Sequence, residues 1–494
     1  MRTFDVLICG AGAAGLSLAI DLARRGVSFR LVEKREAPFT GSRGKGIQPR
    51  TQEVFEDLGV IDRLMAIGGV YPPLREYRDD GSFTDKVMFA EQPSTTAEPY
   101  TTALMVPQFL TERILRERLA EFGRQVEFGC ELMAFMQDED GVTARIARTD
   151  GEETICARYL VGADGGRSYV RDALGIGFPG KTLGVRAMVA DVMLDGLSRD
   201  VWHQFNEGDM AWQISVCPLA GTDLFQLQAP VPQDGDVDLS VEGLNRMLGE
   251  RTGRSDVRVF SISWASAYVM NARLADRYRV DRVLLIGDAA HIHPPTGGQG
   301  LNTSVQDAYN LGWKLAAVLG GAPSALLDSY EEERRPIAAA MLGLSTVLLE
   351  QAKRGNMERG REVRQLDLGY RGSSLALDAG EAGSGPTAGD RMPDVVLHGA
   401  GGQTRRLFDL MRGPHWTMLV GGSQQALSVS PREGLHVWSV GPAGAVTDPD
   451  SGLGLCDGEA LLIRPDGYLG ARAAGHKQDC LEAYLECVML PSSK

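Results

Sequence analysis

Three acidic residues each follow an apolar, strand-like run: Glu33, Asp164 and Asp288, of which the last two lie in glycine-containing turns. Asp288 belongs to the longest of these turns, which continues through a Pro/Gly-rich stretch into a helix predicted over 303–319. A helix that begins there directs its unpaired N–H groups and its positive dipole end into the turn. We therefore expect this turn to bind an anionic group.

The N-terminal stretch has the pattern of a buried strand, a glycine-rich turn, a helix and a second strand that finishes at Glu33. Three glycines stand where a tight bend and close approach to a pyrophosphate are needed: Gly10, Gly12 and Gly15. A carboxylate about twenty residues further on accepts a hydrogen bond from a ribose hydroxyl in such βαβ units. The pattern predicts a dinucleotide site and is compatible with either NAD or FAD.

The segments Asp164-Gly165 and Gly287-Asp288 repeat one design, a strand followed by a Gly/Asp turn and a helix start. Two such motifs in one chain indicate two edges of a single cofactor site. His291 and His293 follow the second motif, but they lack Asp, Glu or Cys partners at metal-ligand spacing. We expect no metal, and we interpret both histidines as polar residues of the turn, with acid/base chemistry as an alternative.

The segment 41–50 concentrates three cations and three glycines. A solvated basic loop is one interpretation. The alternative, which we favour for Arg43 alone, is that its guanidinium reaches the pyrophosphate and compensates the charge near Asp288.

Composition and charge exclude several classes of protein. The 494 residues include 51 Lys and Arg against 65 Asp and Glu, and the net charge of −14 predicts no nucleic-acid or anionic-membrane partner. Seven cysteines without a C-x-x-C pair predict neither a disulfide framework nor a zinc site. No leader segment and no apolar run near the ~18 residues of a membrane span are evident. A cytoplasmic protein, as a monomer or a homodimer, is expected.

Taken together, the three ordered motifs resemble those of class A FAD-dependent monooxygenases, the aromatic hydroxylases with a p-hydroxybenzoate-hydroxylase-like fold. The resemblance covers roughly residues 5–345, and beyond it the chain resembles the aromatic polyketide hydroxylase branch. It implies an α/β fold with a Rossmann-type FAD-binding domain, an interleaved β-sheet substrate domain and a C-terminal thioredoxin-like domain. The expected boundaries are 1–175 and 270–353 (FAD-binding), 176–269 with a contribution from 72–104 (substrate), 354–388 (linker) and 389–494 (thioredoxin-like).

The resemblance also implies which residues contact the cofactor. They are Gly10, Gly12, Ala14, Gly15, Glu33, Lys34, Arg43, Gln108, Leu132, Asp164, Asp288, Pro295, Gly298, Gly300, Leu301 and Asn302. Glu33 would hold the adenosine ribose, Leu132 would offer backbone to the adenine, and Arg43 would bind the pyrophosphate. Gln108 and Asp288 would lie along the ribityl chain.

Leu301 and Asn302 would donate main-chain N–H groups to the pyrimidine end of the flavin, where a helix N-terminus stabilises negative charge. Because the expected contact of Asn302 is main-chain, Asn302→Ala should change the FAD midpoint potential much less than Asn302→Pro, which removes the N–H donor. Asp164 would be shared with the nicotinamide site. The sequence has no second nucleotide fingerprint, so NADPH or NADH would dock transiently, and the sequence does not distinguish the two.

An alternating sequence over roughly 184–268 predicts the substrate sheet. A strand predicted over 210–216 would place Trp212 on an apolar face, and the next strand carries Gln226 and Gln228 on one side. Any of these three side chains could contact the substrate, and the sequence does not choose the face.

The activity implied by the resemblance is hydroxylation of a phenolic or polycyclic, polyketide-type aromatic substrate, as in antibiotic biosynthesis. NAD(P)H would reduce FAD, and O₂ would form a C4a-hydroperoxyflavin that transfers one oxygen atom. Baeyer–Villiger oxidation or epoxidation on the same scaffold is an alternative, as is a redox-silent, FAD-containing antibiotic-binding protein. No catalytic residue is identified. Thioredoxin chemistry needs paired cysteines, and the C-terminal segment has none between 394 and 455, so a structural or interaction role is expected there.

Overall fold

The computed structural model describes residues 3–78, 80–88, 92–209, 211–354, 359–379, 385–422, 429–474 and 477–488. Helices are α1 Ala13–Arg24, α2 Pro49–Asp57, α3 Ile61–Ile67, α4 Gln108–Glu121, α5 Tyr169–Ala173, α6 Val241–Thr252, α7 Gln299–Leu319, α8 Asp328–Ala352, α9 Leu407–Met411 and α10 Gln478–Val488. Three large sheets and one short two-stranded pair, β3 (Gly46–Ile47) with β6 (Leu104–Met105), accompany them.

The first sheet is the nucleotide-binding type predicted from the glycine fingerprint. Its members are β1 Thr3–Cys9, β2 Phe29–Glu33, β7 Val126–Phe128, β8 Glu131–Gln137, β9 Val142–Arg148, β10 Gly151–Gly162, β16 Arg279–Val280 and β17 Val283–Leu285. Strands β17, β10, β1, β2 and β7 are parallel neighbours in that order, so their carboxyl ends share one edge. Apolar side chains of α1 and α7 bury this sheet, which explains the near-continuous apolar runs of β1 and β17.

The second sheet is antiparallel apart from one parallel pair, and it includes two long strands. Its members are β4 Leu74–Tyr77, β5 Phe83–Lys86, β11 Gly180–Asp195, β12 Trp202–Phe205, β13 Ile214–Pro218, β14 Phe225–Pro230, β15 Arg258–Leu274 and β18 His291–Ile292. β4 pairs with β12, so the segment 72–104 contributes to this sheet. β18 pairs with the end of β15 and therefore joins the sheet directly to the Asp288 turn.

The third sheet forms the C-terminal domain and is mixed. Its members are β19 Leu377–Ala379, β20 Val396–Gly399, β21 Thr404–Arg406, β22 Trp416–Gly421, β23 Leu435–Val440, β24 Val446–Thr447, β25 Glu459–Ile463 and β26 Leu469–Ala474. Strands β22, β23 and β24 are parallel neighbours, β25 and β20 flank them in antiparallel orientation, and the edge strand β19 is parallel to β26. This mixed sheet agrees with the expected thioredoxin-like layout. Cys456, Cys480 and Cys487 are exposed free thiols.

Buried ion pairs join the C-terminal domain to the helices of the FAD-binding domain. The Arg464 guanidinium, just after β25, donates to both carboxylate oxygens of Glu333 in α8, at 2.6 and 2.8 Å. Lys314 in α7 donates to the same carboxylate at 2.7 Å, and Trp313 donates to Asp466 at 3.0 Å. Burial lowers the pKa of Lys314 to about 8, although the nearby Glu333 carboxylate acts to raise it. The two domains therefore share one polar core.

Several sequence-based elements are corrected by the structure. The sequence pattern over 51–65 predicts one amphipathic helix, but the structure has two, α2 and α3, separated at Gly59, whose φ of +74° favours glycine. The sequence also predicts strands at 126–128 and 142–146 that follow each other as a hairpin. In the structure β7 pairs with β2 instead, and β9 pairs with β8 and with β10. No helix among the described residues is long and apolar enough to cross a membrane.

The segment 354–388, expected to be a linker, packs closely where the structure describes it. Val363, Gln365, Leu366 and Tyr370 are all buried. Sequence composition suggested a flexible connection because charged and glycine residues dominate the segment, but its few apolar and amide side chains dock against α7 and α8. It is therefore part of the folded body rather than a free spacer.

Candidate cofactor and substrate site

The N-terminal glycine turn closes tightly at two positions and leaves space at the third. Gly10 has φ +107°, and a Cβ there would lie 2.2 Å from the Ala163 carbonyl oxygen. A Cβ at Gly15 would lie 2.0 Å from the Gly10 carbonyl oxygen, whereas one at Gly12 would meet only Glu112 Oε1, at 3.9 Å. The turn thus needs glycine for its own packing at the first two positions, and at Gly12 a ligand can approach the backbone closely.

Glu33, at the end of β2, is held against this turn. Its Oε2 accepts from the Ala11 N–H at 2.9 Å, and its Oε1 accepts from the Arg35 N–H at 3.1 Å. Each oxygen of a carboxylate has a second lone pair, so both retain accepting capacity for ligand hydroxyls. The neighbouring Lys34 is exposed.

The Asp164 turn is locked to the Asp288 turn by an arginine. Asp164 accepts from the Ser168 hydroxyl at 2.5 Å and from the Val170 N–H at 3.1 Å, while Ser168 caps α5. Arg171 donates to the Ala289 carbonyl at 3.2 Å. Burial raises the pKa of Asp164, against the hydrogen bond from Ser168. The two turns therefore form adjoining edges, as the sequence predicts.

Asp288 faces a cleft. Its side chain is accessible to solvent, but the protein surrounding it still desolvates the carboxylate and raises its pKa. The nearby His291 and Arg43 act in the opposite direction. Arg43 is also exposed, and neither side chain has a hydrogen bond or ion pair with any described residue. Burial and the nearby Arg35 and Arg167 lower the pKa of Arg43. This convergence of guanidinium groups in one cleft suits a pyrophosphate.

The helix α7 begins at the edge of the same cleft. Its N-cap is Gly298 at φ +64°, preceded by Gly297 at φ +84°. Gly298, Gly300 and Leu301 are partly exposed and Pro295 is exposed, so ligand can reach this helix end. Leu301 also lies 3.4 Å from the position that a Cβ on Gly44 would occupy, next to Arg43.

Asn302 has a side-chain role that the sequence did not reveal. Its side chain is fully buried, its Oδ1 accepts from the Gln48 N–H at 2.8 Å, and its Nδ2 donates to the Gly46 and Gly298 carbonyls at 2.9 and 2.6 Å. Asn302→Ala would therefore leave buried backbone groups without partners, an effect separate from the predicted main-chain contact with the flavin.

A ladder of buried amides supports the first turns of α7. Gln365 Nε2 donates to Gln299 Oε1 at 2.7 Å, and Gln365 Oε1 accepts from Gln306 at 2.5 Å. Gln299 in turn donates to the Gly297 carbonyl at 2.7 Å. Gln365 adopts φ +62°, a left-handed conformation that strains a residue with a Cβ. Gln365, in the segment 354–388, thus supports the first turns of α7.

The two histidines are interior residues rather than polar residues of an exposed turn. His291 is fully buried, with Nε2 2.6 Å from Asp307 Oδ2 and Nδ1 3.0 Å from His293 Nε2. Arg334 donates to the other oxygen of Asp307 at 2.8 Å. Burial alone would raise the pKa of Asp307, but the effects of His291 and Arg334 are larger, and the net pKa is lowered. Burial holds the pKa of His293 well below its usual range. No group of three or more metal-ligating side chains occurs among the described residues.

The substrate sheet presents one polar face to the FAD-binding domain. Gln226 donates to the Ser42 carbonyl and hydroxyl, and Gln228 donates to Gln226 at 2.7 Å. Asp191, directly opposite Gln226, accepts from the Ser42 N–H at 2.7 Å and from its hydroxyl. Trp212 is not on this face: the strand begins only at 214, and Trp212 lies in the preceding turn, 49% exposed.

Gln108 and Leu132 occupy different surroundings. Gln108 Nε2 donates to Glu112 at 2.8 Å, and its Oε1 accepts from the Gly44 N–H at 3.3 Å. Leu132 is partly buried on β8 and packs against the main core.

Glu112 was missed by sequence analysis: burial raises its pKa to about 7, and it lies beside Gly12. Only its spacing, one helical turn after Gln108, could have indicated it.

These residues fit FAD. A turn open at Gly12, accepting capacity on Glu33, and exposed Arg43 and Asp288 along one cleft match a dinucleotide with a central pyrophosphate and a hydroxylated chain.

Comparison with known proteins agrees with this geometry. Residues 3–345 match the family model described as "FAD binding domain", and residues 385–489 match "Aromatic-ring hydroxylase, C-terminal". A flavin-dependent monooxygenase of Mycobacteroides abscessus is 42% identical over 94% of this chain and 96% of its own length. A rifampicin monooxygenase of Streptomyces venezuelae is 35% identical over 94% of this chain and 95% of its own.

Among solved structures, aklavinone-11 hydroxylase in a ternary complex with FAD and aklavinone superposes with a TM-score of 0.82. That pair is 29% identical, and the alignment covers 98% of this chain and 99% of the other. The family match spans well over half of the sequence, and the relatives are similar along nearly their whole length. The chain belongs to the flavin-dependent aromatic-ring monooxygenases, with an FAD-binding domain and a thioredoxin-like C-terminal domain.

Proposed function

We propose that this protein hydroxylates a phenolic or polycyclic, polyketide-type aromatic substrate, with NADPH or NADH as electron donor and O₂ as oxidant. The observation that supports this most directly is the polar sheet face of Asp191, Gln226 and Gln228, which is hydrogen-bonded through Ser42 to the segment that carries Arg43. A substrate on that face would lie next to the flavin end of the cleft. Bound FAD would supply the redox chemistry, accepting a hydride and activating O₂.

The polypeptide would supply binding, orientation and electrostatics. Glu33 would accept from the adenosine ribose, Arg43 would bind the pyrophosphate, and Asp288 would accept from the ribityl hydroxyls. The N-terminus of α7, through the main-chain N–H groups of Leu301 and Asn302, would stabilise negative charge at the pyrimidine end of the flavin, and no lysine is needed for this. Of the substrate-contact candidates, the structure favours Gln228, which is partly exposed on the polar face, over the remote Trp212.

The test is reconstitution with FAD followed by a substrate screen. Flavin absorbance, aromatic-stimulated NAD(P)H oxidation and incorporation of one labelled oxygen atom from O₂ are expected. Hydroxylation, Baeyer–Villiger oxidation and epoxidation each add one oxygen atom, so the product's structure separates them. FAD binding without stimulated NAD(P)H oxidation by any aromatic compound would instead favour a redox-silent binding protein.

A further inference from the structure

Lys45 holds its charge in an unusual place. A surface lysine normally buries its methylene stem and keeps the ammonium in water. Lys45 does the reverse: the residue is partly exposed, but its Nζ is buried and has no hydrogen-bond partner among the described residues. The Nζ lies 4.0 Å from the centroid of the Trp202 ring. Such a cation–π contact only partly offsets the lost hydration of an ammonium.

The nearest acidic group does not neutralise this ammonium. Asp191 lies close enough for Lys45 to lower its pKa, but the two form no ion pair within 4.0 Å. Both Asp191 oxygens accept from Ser42 instead. Burial still raises the pKa of Asp191 to about 6. Lys45 also lies near the buried thiol of Cys217. Burial raises the pKa of this thiol, and the nearby Lys45 side chain acts in the opposite direction.

The backbone around Lys45 joins the two halves of the site. The Gly44 N–H donates to Gln108 at 3.3 Å, and the Gly46 carbonyl accepts from Asn302 at 2.9 Å. The Lys45 side chain extends in the other direction, to Trp202 on β12. Trp202 lies on the same face of the sheet as Cys217 and the polar residues. Lys45 therefore stands between the residues assigned to the flavin and those assigned to the substrate.

We propose that Lys45 is a substrate-binding residue, whose ammonium leaves the Trp202 ring to bind an ionised oxygen of the aromatic substrate. This inference rests on the proposed function and narrows it to substrates with an acidic phenolic or enolic hydroxyl. An ammonium on a flexible stem suits a single anionic oxygen, and rotation about the stem's own bonds moves it from the ring. The ion pair favours the deprotonated substrate. A phenolate is more electron-rich than a phenol and therefore more readily attacked by an electrophilic oxygen.

The experiment compares two probes on the oxidised, FAD-loaded protein: lawsone, a hydroxynaphthoquinone that ionises below neutral pH, and its O-methyl ether, which cannot ionise. Dissociation constants come from perturbation of the flavin spectrum and from calorimetry, without turnover. We expect the wild type to bind lawsone about tenfold or more tightly than the ether, the ratio typical of a charge-assisted hydrogen bond. Lys45→Met should lose this preference while its affinity for the ether is kept, and Lys45→Arg should keep most of it.

Lys181→Met, at an exposed lysine on β11, is the matched control for removal of one positive charge and should leave both affinities unchanged. Should Lys45→Met fold poorly, Lys45→Gln replaces it. Equal affinity of the wild type for both probes, no measurable lawsone binding, or an unchanged preference in the Lys45 variant would overturn the proposal. Failure of the proposed function is distinct, since it would appear as absent NAD(P)H oxidation with every aromatic compound.

Discussion

At the scale of single residues, the sequence identified those whose role is local. Glu33 ends β2, and Asp164 and Asp288 lie in glycine turns just after β10 and β17. A parallel sheet brings such strand ends to one edge, so their neighbourhood could be predicted. Glu112 and Lys45 could not be identified in this way. Their surroundings depend on contacts with residues distant in sequence, and no local pattern reports the burial of a charged atom.

The first residue-scale prediction concerns Asp288. Replacing it by Ala should weaken FAD binding by on the order of 1–3 kcal/mol, because the ribityl hydroxyls would lose a desolvated acceptor. Fluorescence titration of the apoprotein with FAD measures the effect. Asp288→Asn, which keeps a carbonyl acceptor, should lose less. Equal FAD affinity in wild type and Asp288→Ala would remove Asp288 from the cofactor site.

Glu112 makes a pH-dependent contribution to stability. Its carboxyl is buried and its folded-state pKa is raised to about 7, above the ordinary value of 4.5. Folding therefore favours the protonated carboxyl. The contribution of Glu112 to the free energy of unfolding is fully present below pH 4.5 and is lost as the pH rises through 7. Glu112→Gln should stabilise the apoprotein at pH values above 7 by on the order of 1–3 kcal/mol.

Urea unfolding at a series of pH values tests this difference. The gap between Glu112→Gln and the wild type should shrink steadily as the solution is acidified. A gap that does not vary with pH would show that the glutamine acts through packing rather than through the removed charge.

At the scale of elements, the strands and helices with a strong apolar period were predicted, and the docking of segment 354–388 was not. α7 was found as 303–319, and its true first turn, from Gln299, was obscured by the glycines that precede it. Gln365 carries no sequence signal for its function: it is a polar residue in a polar segment, and only the folded chain places it against Gln299 and Gln306.

The left-handed backbone of Gln365 can be separated from its side-chain bonds by two substitutions. Gln365→Ala and Gln365→Gly remove the same amide contacts, so both should lower the free energy of unfolding. The alanine variant should be the less stable of the two by about 1 kcal/mol, since only glycine adopts a positive φ without strain. Chemical denaturation of both variants measures this. Greater stability for alanine would mean that the backbone at this position is not strained.

At the scale of the whole molecule, the three-part architecture followed from the order of the motifs, but the closeness of the parts did not. Sequence composition predicted a domain boundary near 354–388, whereas polar contacts in the structure connect the domains on its two sides. Arg464 and Asp466 could not be predicted as partners of α7 and α8, because buried ion pairs between domains depend on three-dimensional docking rather than on a local motif.

The C-terminal domain should carry no redox chemistry. Replacing Cys456, Cys480 and Cys487 together by Ser should change stability by no more than about 0.5 kcal/mol, because all three are exposed. NAD(P)H oxidation and flavin content are also expected to match the wild type. Lost turnover in a variant that retains its flavin would point to thiol chemistry in this domain.

The ion cluster of Arg464, Glu333 and Lys314 bears on how such chains can be recombined. The C-terminal domain supplies Arg464, and the FAD-binding domain supplies Glu333 and Lys314, with side chains that are almost wholly screened from water. A chimera that joins the first two thirds of this chain to the last third of a relative would keep Glu333 and Lys314 but lose Arg464. Unless the donor also carries a matching arginine, the buried Glu333 carboxylate loses its two hydrogen bonds to Arg464 and keeps only those from its own domain, which destabilises the contact between the domains. The point where the sequence looks easiest to cut is therefore a poor crossover site for domain exchange.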